Sequence, residues 1–276
     1  MEKSIEKIFD LTDRVIILTG GAGLLGREYT FALAKAGAHV VVADINGPAA
    51  EKLAATVTKS WKVKCLGVAA DVSNKQSVQK MVEKTTSIFG RVDILVNNAA
   101  VDPKFDSSHA TEHIFSFEEY PIELWNKGLA VNLTGMFLCA QAVAKSMLNQ
   151  GKGVIVNISS TYGLVGPDQR LYRREDGKQQ VFKPVIYSVT KSAVIGLTRY
   201  LATYWAGKNI RVNALIPGGV INDHDEEFVR RYSFRTPLVR MADKSEYCGA
   251  LLFLVSDASS YMTGANLVVD GGWTAW

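Results

Sequence analysis

Cysteine is scarce in this chain: Cys65, Cys139 and Cys248 are scattered through apolar or helical surroundings, with no C-x-x-C pair. That excludes a disulfide framework and points to reduced packing residues, as expected of a cytoplasmic protein. Histidine is nearly as sparse, and His39, His109, His113 and His224 form no metal-ligand pattern beyond the lone His109/His113 pair, so no metal is expected. A long basic run is missing too. Net charge is +4, and the densest cluster is Arg170, Arg173, Arg174, Lys178 and Lys183. General nucleic-acid binding is thereby disfavoured, while a local anion site stays open. No stretch approaches the ~18 consecutive apolar residues of a membrane span, and the first ten residues alternate charged with apolar side chains, unlike a signal peptide. Repeats, low-complexity tracts and Pro/Gly-rich linkers are also missing, so residues 1–276 are expected to form one domain, with 1–10 as an N-terminal extension.

What is present is a core-forming composition, 47% hydrophobic and 21% charged, laid out in a regular alternation. Short β-branched apolar runs at 15–18, 40–43, 63–69, 92–96, 154–157, 210–214 and 266–269 have helical patterns between them, near 24–36, 48–58, 75–88, 124–149, 185–205 and 244–255. Continuous apolar strands alternating with helices predict an α/β fold, a doubly wound parallel sheet of about seven strands with helices on both faces. Asn74 is placed to cap a helix, and Gly37 to stop one. Three stretches, 101–121, 164–184 and 221–237, follow strands and take no regular assignment. They fall on the edge where such folds bind ligands.

Thr19-Gly-Gly-Ala-Gly-Leu-Leu-Gly26 lies between the first strand and the first helix. There glycines let a pyrophosphate approach backbone N–H groups at a helix N-terminus. Gly20, Gly23, Leu24, Leu25 and Gly26 are the expected contacts. Asp44 ends the second strand, where a carboxylate can accept both hydroxyls of an adenosine ribose; a helix-capping role ahead of Asn46-Gly-Pro48 is the weaker alternative. Neither the turn nor Ile45 supplies a basic residue for a 2′-phosphate, which favours NAD over NADP.

Tyr187-Ser-Val-Thr-Lys191 opens a helical stretch downstream of Asn157-Ile-Ser-Ser160. Residues at i and i+4 share a helix face, so the phenol and the ammonium can address one centre. A phenol titrating near ~10 is a poor base at neutral pH, and a neighbouring cation favours its ionised form. Taken alone, Y-x-x-x-K would more simply be an unrelated surface pair.

The glycine turn, Asp71-Val72, Asn97-Asn-Ala-Ala100, Asn132, Ser160, Tyr187-x-x-x-Lys191, Pro217-Gly218 and the closing Asp270-Gly-Gly272 occur in this order. That conjunction, running over residues 11–273, resembles the short-chain dehydrogenase/reductase family of compact type. The resemblance implies that Asp71 and Val72 hold the adenine, that Asn98, Ala99 and Ala100 pass beneath the cofactor, and that Pro217, Gly218 and Val220 cradle its nicotinamide end. It further implies that Tyr187 transfers the proton, that Lys191 assists it and binds the ribose, and that Ser160 hydrogen-bonds the substrate oxygen. Asn132 would hold a relay water, with a buried amide satisfying helix backbone as the competing account. A homodimer or homotetramer is implied as well, with the last strand and its tail at the interface; packing of Trp273 inside one subunit is the alternative.

Two departures stand out. Compact members often carry glycine where Leu24 and Ala100 lie, and the G-x-x-G-x-x-G spacing here is similar to sugar-nucleotide epimerases and dehydratases. The threonine often found after the Pro-Gly segment is Asn222. The leading expectation is an NAD-dependent oxidoreductase acting on a secondary alcohol or ketone of a small molecule. An epimerase or dehydratase using NAD transiently, or a non-catalytic NAD-binding protein, are the alternatives. Ser160 and Tyr187 are 27 positions apart, and the surplus, residues 164–184, is expected to lie over the substrate pocket as a flap turning at Gly177. Its basic residues, together with Arg230, Arg231 and Arg235, can clamp an anionic sugar. A solvated hairpin, internal pairing with nearby acids or a subunit contact is the plainer account. Weaker similarity links this region to dehydrogenases of bacterial surface-sugar biosynthesis.

Overall fold

The computed structural model describes residues 4–101, 115–173, 179 and 181–276. Gly177, Arg174, Lys178, His109 and His113 lie outside them. Seven parallel strands form one sheet: β1 (Val15–Thr19), β2 (His39–Asp44), β3 (Cys65–Ala69), β4 (Ile94–Asn97), β5 (Gly153–Ile158), β6 (Ile210–Pro217) and β7 (Asn266–Val269). Their spatial order is β3-β2-β1-β4-β5-β6-β7. The helices are α1 (Ile5–Phe9), α2 (Leu24–Lys35), α3 (Gly47–Ser60), α4 (Lys75–Phe89), α5 (Ile122–Leu129), α6 (Gly135–Gln150), α7 (Val185–Tyr204), α8 (Glu226–Arg235) and α9 (Cys248–Val255).

Alternate residues of each strand feed opposite faces. Ile16 and Leu18 of β1 pack with Leu33 of α2, Leu53 of α3 and Leu251 of α9. Ile17 packs on the other face with Met81 of α4, Val143 of α6 and Leu201 of α7. Both faces being covered is why the strands read as unbroken apolar runs. Helix ends follow local chemistry: the Asn74 side chain accepts the Ser77 N–H at 3.0 Å, as its position predicted, and Gly37 adopts φ 93° just past α2.

Two segments depart from expectation. The helix expected over 124–149 is interrupted by a π-turn at Ala130–Thr134, between α5 and α6. The combined run Ile122–Gln150 is long and apolar enough by composition to span a membrane, yet its Met136, Cys139, Ala140, Val143 and Met147 are buried on this fold. The stretch 221–237 contains α8, whose N-cap Asp225 accepts the Phe228 N–H at 2.8 Å and whose first turn carries Glu226 and Glu227.

Strand order reverses between β1 and β4, and a crevice opens beyond the carboxyl ends of the strands there.

Candidate active site

The crevice is a cavity of about 800 Å³. At one end lies the glycine turn. Gly20 holds φ 62°, and a Cβ there would sit 2.8 Å from the Ala99 Cα. Asn98 welds the turn to β4: its Nδ2 donates to the carbonyls of Thr19 and Gly20, both at 3.0 Å, and its N–H donates to Thr19 Oγ1 at 3.0 Å. Gly23 is the N-cap of α2 and offers no side chain to the first-turn N–H groups, which leaves them for an anion. Gly26 does not reach the cavity wall; it is a close-packing residue, where a Cβ would lie 2.1 Å from the Gly20 carbonyl oxygen. A turn stripped of side chains at these positions, with open helix N–H groups, fits a dinucleotide pyrophosphate.

Asp44 lines the same end of the cavity, with Leu24, Leu25 and Ile45 beside it. Its carboxylate accepts the N–H of Ala22 at 3.0 Å and of Asn46 at 2.9 Å. Asp71 and Val72 follow on the rim, Asp71 being fixed by Ser73, whose hydroxyl donates to it at 2.6 Å. Ala99 and Ala100 floor the cavity from the end of β4.

At the other end, β5 and α7 bring Ser160, Tyr187 and Lys191 onto one wall. Lys191 is buried, and its Nζ donates to the Ile158 carbonyl at 2.9 Å and stands 5.6 Å from the Tyr187 ring centroid. The neighbouring serines are told apart by geometry. Both line the cavity, but Ser159 Oγ donates to the Lys191 carbonyl at 2.7 Å, which ties it to α7, whereas Ser160 Oγ accepts the Tyr162 N–H at 3.2 Å. Gly163 lets these segments meet, since a Cβ there would fall 2.6 Å from both Lys191 O and Ser159 Oγ.

Asn132 sits in the π-turn, fully buried and off the cavity wall. Its Oδ1 accepts the Val101 N–H at 2.8 Å, and its Nδ2 donates to the Val101 carbonyl at 3.0 Å and to Thr190 Oγ1 at 3.3 Å. The amide is thus engaged by the non-helical backbone of Val101 and by the Thr190 hydroxyl, not by helix backbone.

Pro217, Gly218 and Val220 line the cavity from the end of β6. The intervening Gly219 lines it too, and its N–H donates to the Tyr232 hydroxyl at 2.7 Å. Tyr232, from α8, stacks on Trp273 at 4.1 Å between centroids, and burial pushes its phenol pKa up. Trp273 is 1% exposed within this one subunit, while Trp276 is 74% exposed. The expectation that the tail's tryptophans serve an interface thus fails for Trp273.

The insert contributes Tyr172 and Lys183 to the cavity, and the segment entering α8 contributes Asn222 and His224. Among the described residues, Arg170 of the insert and Arg231 and Arg235 of α8 are otherwise engaged. Asp168 takes Arg170 at 2.8 Å and Arg235 at 2.7 Å, and Arg231 binds Glu227 and the Arg173 carbonyl. Asp168, held chiefly by Arg170, stays ionised down to a pKa of about 2. Internal pairing, rather than an anion clamp, occupies Arg170, Arg231 and Arg235. Among the described residues no three metal-binding side chains gather.

The family model described as enoyl-(acyl carrier protein) reductase matches residues 22–274. D-threitol dehydrogenase of Mycolicibacterium smegmatis is 34% identical over 99% of this chain and 97% of its own. NAD-dependent glycerol dehydrogenase of Listeria innocua is 31% identical over 99% and 98%. A crystal structure of gluconate 5-dehydrogenase from Burkholderia cenocepacia, in complex with NADP and tartrate, superposes with a TM-score of 0.85 at 29% identity, covering 99% of this chain and all of that one. None of these supports an epimerase or dehydratase. The chain belongs to the short-chain dehydrogenase/reductase family and is a nicotinamide-dependent oxidoreductase acting on CH–OH groups of a small molecule.

Proposed function

We propose that the protein is an NAD-dependent dehydrogenase of a polyol or sugar, with Tyr187 as its acid/base. The observation that carries this is the convergence of Ser160, Tyr187 and Lys191 on the cavity that also holds the glycine turn and Asp44. When bound, the nicotinamide supplies the hydride acceptor. The chain's part is to place the alcohol and take its proton. Ser160 Oγ hydrogen-bonds the substrate oxygen as charge develops on it. Tyr187, as phenolate, removes the hydroxyl proton, and in reduction the phenol returns it. Lys191 favours the phenolate and binds the nicotinamide ribose, fixing the geometry of transfer. Asn132 contributes by holding the Val101 backbone in place beside the cavity; a relay water there would rest on backbone groups, since its amide is already engaged.

NAD is favoured by Asp44. A 2′-phosphate there would face a carboxylate already fixed by two N–H donors and flanked by the apolar Ile45. The relatives carry both cofactors in their descriptions, NAD for the glycerol dehydrogenase and NADP for the gluconate dehydrogenase, and Asp44 is the residue of this chain that favours NAD. The substrate class follows from relatives acting on threitol and glycerol and from a substrate side that mixes aromatic walls with polar tips, Tyr162, Tyr172, Asn222 and His224. A homo-oligomeric, cytoplasmic enzyme fits the stacked, exposed Tyr200 and Tyr204 on α7 and the free cysteines.

The test is NADH formation with purified protein over a panel of tetritols, pentitols, hexitols, glycerol and aldoses, with NADP in parallel. Reduction of NAD by at least one polyol or sugar, with NADP poorer, is expected. Turnover with NADP alone would remove the cofactor assignment, and failure with the whole panel the substrate class.

A further inference from the structure

Tyr187 carries a second cation. Lys183 Nζ lies over its ring, 4.0 Å from the centroid, nearer than the 5.6 Å of Lys191, and also 5.8 Å from the Tyr162 ring. Lys183 belongs to the inserted stretch, lines the cavity and stands four positions ahead of Tyr187. Its main chain is clamped at two points by one side chain. Gln169 Oε1 accepts the Lys183 N–H at 2.9 Å, and Gln169 Nε2 donates to the Lys183 carbonyl at 3.2 Å. Gln169 is in turn fixed by Gln179, whose Nε2 donates to the Gln169 carbonyl at 2.9 Å. The insert therefore delivers an ammonium to the face of the tyrosine proposed to move the proton.

We propose that Lys183 is a positioning residue of the active site: its ammonium over the Tyr187 ring favours the phenolate and so readies Tyr187 as a base. The inference rests on the assignment of Tyr187 above. The physical reason is the charge distribution of the ring. A cation over an aromatic face is attracted by the electron-rich π-cloud, and deprotonating the phenol puts more negative charge into that cloud. The attraction is thus stronger in the ionised form, which displaces the titration downward. The other groups facing Tyr187 come from four elements. Lys191 is on its own helix; Ser160 and Tyr162 lie just after β5; Tyr172 sits in the insert; Tyr232 and Phe228 come from α8. Asp223 and His224 line the same cavity from the segment before α8. Asp223 is the carboxylate of this set and opposes the effect, but it is exposed to solvent screening. Lys183 and Lys191 act on the ring from different elements, so the two cations can be removed separately.

The experiment is tyrosine-ring carbon NMR on the full chain labelled at tyrosine Cζ, with the Tyr187 signal identified by its loss in Tyr187→Phe. The titration midpoint of that signal is measured in the parent, Lys183→Met and Lys183→Arg, with thermal transitions verifying that each is folded. Lys183→Gln replaces Lys183→Met if the latter fails to fold. The midpoint is expected to rise by on the order of one pH unit in Lys183→Met and to return toward the parent in Lys183→Arg. An unchanged midpoint in the folded neutral variant, or an arginine variant that follows the methionine one, would overturn the proposal. Because the signal is read without substrate, failure of the polyol panel is a separate result from failure here.

Discussion

The hydroxyl of Tyr232 accepts the Gly219 N–H at 2.7 Å. This bond ties α8 to the segment that follows β6 at the cavity wall, and Trp273 backs it by stacking on the Tyr232 ring at 4.1 Å. The carboxyl-terminal tail therefore bears on the cavity through one aromatic ring. A side chain at position 219 is excluded, since its Cβ would lie 2.4 Å from Tyr232 Cζ.

Tyr232→Phe keeps the ring and its stack while leaving the Gly219 N–H without its acceptor, a loss of about 1–3 kcal/mol for a buried donor. NAD affinity is expected to fall roughly tenfold, given ~1.4 kcal/mol per decade, with the thermal transition lowered only modestly. Calorimetric titration of NAD checks this; parent-like affinity would mean that Gly219 does not shape the cofactor end.

Two glycine-to-alanine changes should have opposite signs. Gly26→Ala puts a Cβ 2.1 Å from the Gly20 carbonyl oxygen, and loss of NAD binding with strong destabilisation is expected. Gly196→Ala, inside α7 with nothing within 4 Å of the new Cβ, should stabilise by up to about 1 kcal/mol through helix propensity. Urea unfolding of both variants is the measurement.

Asp168 joins the insert to α8 through Arg170 and Arg235. Its folded pKa, about 2, lies below the unfolded value near ~3.9, so its stabilisation is complete above about pH 4 and is lost as pH falls through about 2. Asp168→Asn removes the charge at every pH. Hydrogen exchange at neutral pH should then rise in the insert and in α8 and stay unchanged in β1 and β2; uniform protection would show that the bridge does not hold the insert.

Asp44→Ala should cost NAD affinity and narrow the gap to NADP, because the carboxylate that would repel a 2′-phosphate is gone. Fluorescence titration with NADH and NADPH measures both affinities. An unaltered ratio would locate cofactor choice elsewhere.

Much of this was legible in the chain because parallel strands buried on two faces read as continuous apolar runs. All seven strands lie where those runs are, and the glycine turn, Ser160, Tyr187 and Lys191 meet in one cavity. What escaped notice has physical reasons. The helix α8 is short and strongly charged, with buried Phe228 and Tyr232 spaced by four as its faint apolar signal; Asp225 followed by Glu226 and Glu227 was the cue available. Lys183 looked like one more charge in a basic insert, and its closeness to Tyr187 depends on the two-point clamp by Gln169, a contact no spacing rule encodes. Asn132 was legible as a buried amide, but its partner Val101 is 31 positions away.

Tyr187 is proposed to carry the proton in an NAD-dependent oxidation. The most direct measurement is single-turnover NADH formation by Tyr187→Phe, with the best polyol or sugar substrate and with NAD affinity verified by titration. A rate lower by about 10²–10⁴ with NAD affinity retained is the predicted result; a rate equal to the parent's at saturating substrate would contradict it.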